Sequence, residues 1–91
     1  MTLRVVREVG WLRGLTSYRA IRRAVAACIG RRDFRIVHTS IQGNHIHLLV
    51  EADNARALSN GVRAFKISAA RHLNAARGRR GKVFATRYHA V

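Results

Sequence analysis

Apolar positions along the chain change period several times, and each change marks an element. Leu3 to Val9 alternates loosely and holds three valines, which predicts a strand. Gly10 to Leu15 reads as a turn-rich loop, with Thr16 or Ser17 placed to cap a helix. Tyr18, Ile21, Val25 and Cys28/Ile29 then recur at spacings of three and four, so a helix should set Tyr18 and Cys28 in the core. Arg19, Arg22 and Arg23 lie off that stripe, and Gly30 with Arg31 and Arg32 suits a helix end. Phe34 to Gln42 is rich in β-branched residues and predicts a second strand. Gly43-Asn44 is a two-residue turn whose residues tolerate positive φ, and His45 to Ala52 returns as a third strand. Asp53 or Asn54 caps a second helix with a stripe of Leu58, Val62, Phe65, Ala69, Leu73 and Ala76. After the basic turn Gly78 to Gly81, Lys82 to Ala90 reads as a last strand.

The predicted order is β-α-β-β-α-β, a single α+β domain over residues 1–91. Its architecture is ferredoxin-like, an antiparallel sheet with both helices on one face. The other face is left open. A two-residue turn fixes the hairpin register, setting Gln42 opposite His45, Ile41 opposite Ile46 and Ser40 opposite His47. Thr39 then faces Leu48 and His38 faces Leu49. Ile46, Leu48, Val50, Ile41 and Val37 are expected on the helix side. His45 and His47 fall on the open side, with Gln42, Ser40, His38 and Glu51 around them.

Two histidines at i and i+2 on a strand can direct two imidazole nitrogens at one divalent cation. Gln42 and Glu51 are the nearest oxygen donors, and Ser40 or His38 could orient the ligands from behind. The competing reading is that His45 and His47 are simply the wet side of a half-exposed strand. The spacing alone leaves both open.

Charge narrows the partner. The 91 residues include 18 Lys+Arg, sixteen of them arginine, against 4 Asp+Glu, giving a formal net charge of +14. A hydrophobic content of 48% sets the chain apart from a basic disordered tail, and its length excludes separate cofactor and substrate lobes. So large a charge exceeds what solubility requires and points to a polyanion. Arg4 alternates away from Leu3 and Val5, towards the histidine face, while Arg79, Arg80, Lys82 and Arg87 cluster about the last turn and strand. Arginine forks bind phosphate bidentately and stack on bases. No apolar run approaches a membrane span, and the start lacks a leader's apolar core. The single Cys28 fits a reducing, cytoplasmic setting and a place in the core.

The segment from Phe34 to Ala52, with its Asn44-His45-Ile46-His47-Leu48-Leu49 run, resembles the signature strand pair of the HUH single-tyrosine transposases. It is most similar to their insertion-sequence-200-like and REP-associated branch. The similarity continues through Arg56 to Lys66, Ala70 to Asn74 and Gly78 to Ala90, nearly the whole chain. The resemblance implies that His45 and His47 hold Mg²⁺ or Mn²⁺, beside Gln42, which the hairpin register makes a candidate oxygen donor. It also implies that the cation polarises a phosphate of single-stranded or hairpin DNA, and that a homodimer is the common state. In the family, a tyrosine on a further helix attacks that phosphate; the helix follows the segment matching Arg87 to Ala90.

The chain ends at Val91, so the expectation is a transposase core that binds metal and DNA but lacks the nucleophile. Neither tyrosine replaces it: Tyr18 is assigned to the first helix's stripe, and Tyr88 precedes the family's position. His72 and His89 have no partner at ligand spacing. The alternative is a non-catalytic RNA-binding module of the RRM kind, which has the same element order but displays aromatics where this chain has His45 and His47. Reading Tyr18 to Arg32 as a membrane-surface helix fails because the sheet needs its apolar stripe.

Overall fold

The structure, a computed structural model, describes residues 1–85. The element order is β1 (Thr2–Arg4), α1 (Leu15–Ala27), β2 (Phe34–Ile41), β3 (His45–Ala52) and α2 (Ala55–Arg77), with a 3-10 turn at Arg7–Val9. The three strands form an antiparallel sheet in the order β1-β3-β2. The fold is α+β, with both helices on one face, as the hydrophobic pattern predicts.

The expected first strand is cut short. Pairing ends at Arg4, apart from one bridge at Val5, and the chain turns at Arg7–Val9 so that Val9 and Leu12 enter the core. The expected fourth strand is represented by the Val5–Phe84 bridge, with Val6 N–H donating to Val83 O and Ala85 N–H to Arg4 O. This segment runs along the free side of β1, where a fourth strand belongs; the rest of the expected strand lies outside the described residues.

The hairpin keeps the predicted register from Ile41 opposite Ile46 to His38 opposite Leu49. Beyond it a β-bulge intervenes, so Ile36 rather than Val37 faces Val50. Ile36 therefore packs on the core, and Val37, expected inside, is 53% exposed. The turn also differs from expectation. Positive φ among the described residues occurs at Gly10, Gly78 and Gly81, not at Gly43 or Asn44. Gly43 answers a different need, because a Cβ there would lie 2.4 Å from the Trp11 ring.

α1 begins at Leu15 after Gly14 rather than at a Thr16 or Ser17 cap. Its inward face is Ser17, Ala20, Ile21 and Ala24, leading to Cys28. Those small side chains let α1 approach α2 closely, which rotates Tyr18 out to 47% exposure. The core place predicted for Tyr18 is thus taken by its neighbours. α2 is capped as expected, with Asn54 Oδ1 accepting from Ala57 N–H at 2.8 Å and Gly78 closing the helix in the left-handed region. Its inward face is Ala57, Gly61, Val62, Phe65, Ala69 and Leu73; Leu58 and Ala76 lie off it. No described helix is long and apolar enough to cross a membrane.

Cys28 is 4% exposed, and burial raises its thiol pKa while Arg31 nearby opposes the rise. Because the folded chain holds the thiol neutral, its contribution to stability is full below the unfolded thiol's range, about 8.5, and is lost as pH rises above it. Thiol-reagent labelling at pH 7 should therefore be slow until denaturant unfolds the chain. Rapid labelling of the folded protein would contradict this burial.

Candidate nucleic-acid and metal interface

β3 sits at the centre of the sheet, so its open face is flanked on both sides. Thr2 pairs with His47 and Arg4 with His45 on one side, and Ser40 pairs with His47 on the other. Gln42 N–H donates to His45 O, closing the ladder at the turn. The alternation of β3 puts Ile46 and Leu48 into the core and leaves His45, His47, Leu49 and Glu51 on the opposite face.

The two imidazoles stand edge to face, with centroids 5.0 Å apart and planes at 85°. Each is tied through Nδ1: His45 to Asn44 Oδ1 at 2.9 Å, and His47 to Thr2 Oγ1 at 2.9 Å. Asn44 Oδ1 can only accept, so His45 donates from Nδ1 and keeps its lone pair on Nε2; the Thr2 hydroxyl can donate or accept, and His47 Nε2 carries the lone pair in the tautomer whose Nδ1–H donates to Thr2. A cation bonded at about 2.1 Å to two imidazoles, with ligands at about 90–110°, would set the ring centroids roughly 4.5–5.2 Å apart. The observed spacing falls in that interval, and it is equally the spacing of an ordinary edge-to-face ring contact. Gln42, beside the pair at the turn, points its amide N–H at Ser40 Oγ, 2.8 Å away.

Other expected participants are placed elsewhere. Glu51 lies four residues beyond His47, about 13 Å along the strand, and its carboxylate accepts from Arg35 at 2.9 Å. His38 is exposed further along β2. No cluster of three His, Cys, Asp or Glu side chains is present among the described residues. His72, on α2, turns its Nδ1 to Ser68.

Arg4 reaches the histidine face as its alternation predicts, opposite His45. Arg79, Arg80 and Lys82 follow α2 instead. Arg79 donates to Asn74 Oδ1 at 2.7 Å, and Asn74 donates on to Gly81 O, so part of this basic turn braces the helix end. Arg87 and Tyr88 lie outside the described residues. Both helices carry arginine and neither carries an acid.

Three contributors escape a reading of the sequence. Thr2 pairs with His47 through a β1–β3 ladder for which no turn announces the register. Trp11 covers Gly43 at the hairpin tip, and Leu12 N–H donates to Gly43 O at 2.8 Å. Arg77, seemingly one more surface cation, donates to Trp11 O and to buried Ser17 Oγ. It thereby brings the end of α2, and the basic turn after it, to the same end of the molecule as the hairpin tip.

The structure is thus an α+β domain with an open antiparallel sheet face, a His-x-His pair on its central strand and an arginine-rich surface. The chain matches the IS200-like transposase family over residues 3–91 and belongs to it. A protein from Deinococcus radiodurans R1 assigned as a transposase has a similar fold, with a TM-score of 0.62 at 15% identity. The similarity covers 82% of this chain and 58% of that one, so the chain spans well under two thirds of that relative's length. No curated protein matches it.

Proposed function

We propose that this transposase-family domain binds single-stranded or hairpin DNA across its open sheet face, around Mg²⁺ or Mn²⁺ held by His45 and His47. The observation that carries the reading is the pair itself, two rings at a one-cation spacing, each fixed through Nδ1. Gln42 would add an oxygen ligand. When bound, the cation supplies Lewis-acid polarisation of a phosphate oxygen. Arg4, opposite His45, lies where it can pair with the same strand's backbone. Arg79, Arg80, Lys82 and Arg87 would extend the basic track.

This chain alone is proposed to hold the strand without cutting it. The hydroxyls that the described structure brings to the pair belong to Thr2 and Ser40, not to a tyrosine, and Tyr18 stands on α1 across the sheet. The RNA-module reading gains no support from the sheet face, whose central strand displays His45, His47, Leu49 and Glu51 rather than stacking aromatics.

Binding of single-stranded DNA, hairpin DNA and RNA should be compared at one fixed salt concentration, since phosphate contacts make affinity strongly salt-dependent. DNA should bind more tightly than RNA, and Mn²⁺ should strengthen binding. Incubation with hairpin DNA and Mn²⁺ should leave no covalent adduct on a denaturing gel. Tighter binding of RNA would overturn the DNA reading, and a phosphotyrosine adduct would overturn the non-cutting one.

A further inference from the structure

The histidine face leaves two exposed aromatics unused. Trp11 is 65% exposed and Tyr18 47% exposed, although both stand on well-anchored backbone. Trp11 O accepts from Arg77, and the next residue, Leu12, is fully buried and bonded to the hairpin turn. The edge of the indole rests on Gly43, so its orientation is set before anything binds. Little conformational freedom remains to be lost on contact. Gly43 is two residues from His45, which places their Cα atoms within about 7 Å.

From Leu12 a groove of about 390 Å³ runs beside β2, lined by Arg13, Tyr18, His38, Ser40 and Ile41. A space of this size admits a nucleotide-sized group. The Arg22 guanidinium lies 6.0 Å from the centre of the Tyr18 ring. Ser40 belongs both to the groove and to the cluster opposite His47. The groove therefore follows the free edge of β2, on the α1 side of the sheet, and meets the histidine face only where Ser40 crosses that edge opposite His47. Aromatic faces interleaved with arginines suit unpaired bases joined by phosphates: every base has a face to stack, and each phosphate meets a cation.

We propose that Trp11 and Tyr18 are stacking platforms for unpaired nucleobases of the strand whose phosphate meets the histidine pair, with Arg13 and Arg22 facing its backbone. The inference rests on the single-strand reading above and adds a base-binding site to it. It predicts tolerance of base identity and a preference for unpaired over paired bases at this edge.

Trp11 is the single tryptophan, so its fluorescence reports the site directly. Titration with a short oligothymidylate should quench the emission at saturation. Trp11→Ala should weaken binding by about tenfold, Trp11→Phe should retain most of the affinity, and Tyr18→Ala should weaken binding further when combined with Trp11→Ala. An oligomer of the same length with abasic residues should bind wild type and Trp11→Ala equally. Circular dichroism checks that each variant is folded. Unchanged emission at saturation, or equal oligothymidylate affinity for wild type and Trp11→Ala, would overturn the stacking site while leaving single-strand binding intact. Failure of wild type to bind any oligomer would overturn both.

Discussion

Gly61→Ala should destabilise the domain by about 2–3 kcal/mol, even though alanine is the better helix former. The substitution gains about 1 kcal/mol of intrinsic helix preference. Against that, a Cβ at Gly61 would lie 2.1–2.5 Å from Cγ, Cδ1 and Cδ2 of Phe34. The overlap is with the root of the ring, not with the end of a flexible chain. Phe34, the first residue of β2, is 1% exposed, and the root of its ring is packed directly on the α2 backbone at Gly61. Relief requires the strand and helix to separate, which puts this overlap at and beyond the upper end of the usual overpacking range, roughly 3–4 kcal/mol before the helix preference is subtracted. In a domain this small, the melting temperature should fall by roughly 10–20 °C. A double-mutant cycle isolates the cause. With Phe34→Ala in place, Gly61→Ala should become neutral or stabilising, because the clash is gone and the helix preference remains. Equal losses in both backgrounds would show that Gly61 is needed for some other reason.

His45→Ala/His47→Ala should abolish the divalent-metal dependence of DNA binding while leaving most of the metal-free affinity. The two components have separate sources. Metal-free binding comes from arginine–phosphate contacts and falls steeply with salt. The metal-dependent part needs both imidazoles at one ion. For wild type, Mn²⁺ should tighten single-strand binding about tenfold, or ~1.4 kcal/mol; for the double variant the ratio with and without Mn²⁺ should be one. Thr2→Val should weaken metal binding by roughly tenfold or more, because the His47 ring loses the partner that orients it. A tenfold Mn²⁺ effect retained in the double variant would move the metal away from these histidines.

How far the sequence could be read depended on whether local chemistry decided the outcome. The hairpin and its register were legible because a two-residue turn leaves one pairing, and the His45–His47 pair followed from strand alternation. The bulge at Val37 was not legible, since nothing in Phe34 to Gln42 marks the extra residue; it shows only where Ile36 takes the core place. The position of Tyr18 was misjudged for a related reason. Helical spacing gives a stripe but not its centre, and close packing of the helices favoured Ser17, Ala20 and Ala24. Gly43 was found for the wrong reason, because its constraint is an aromatic ring from thirty-two residues earlier in the chain. Thr2 and Arg77 act over similarly long separations, which no local pattern records.

The central claim is that His45 and His47 form one cation site on the open sheet face. Electron paramagnetic resonance of Mn²⁺ tests it without DNA, because the sharp signal of the free aquo ion is lost on binding. Titrating Mn²⁺ into wild-type protein should remove one equivalent of free signal before it grows, whereas His45→Ala/His47→Ala should leave the signal rising from the first addition. Identical titration curves for the two proteins would contradict the account.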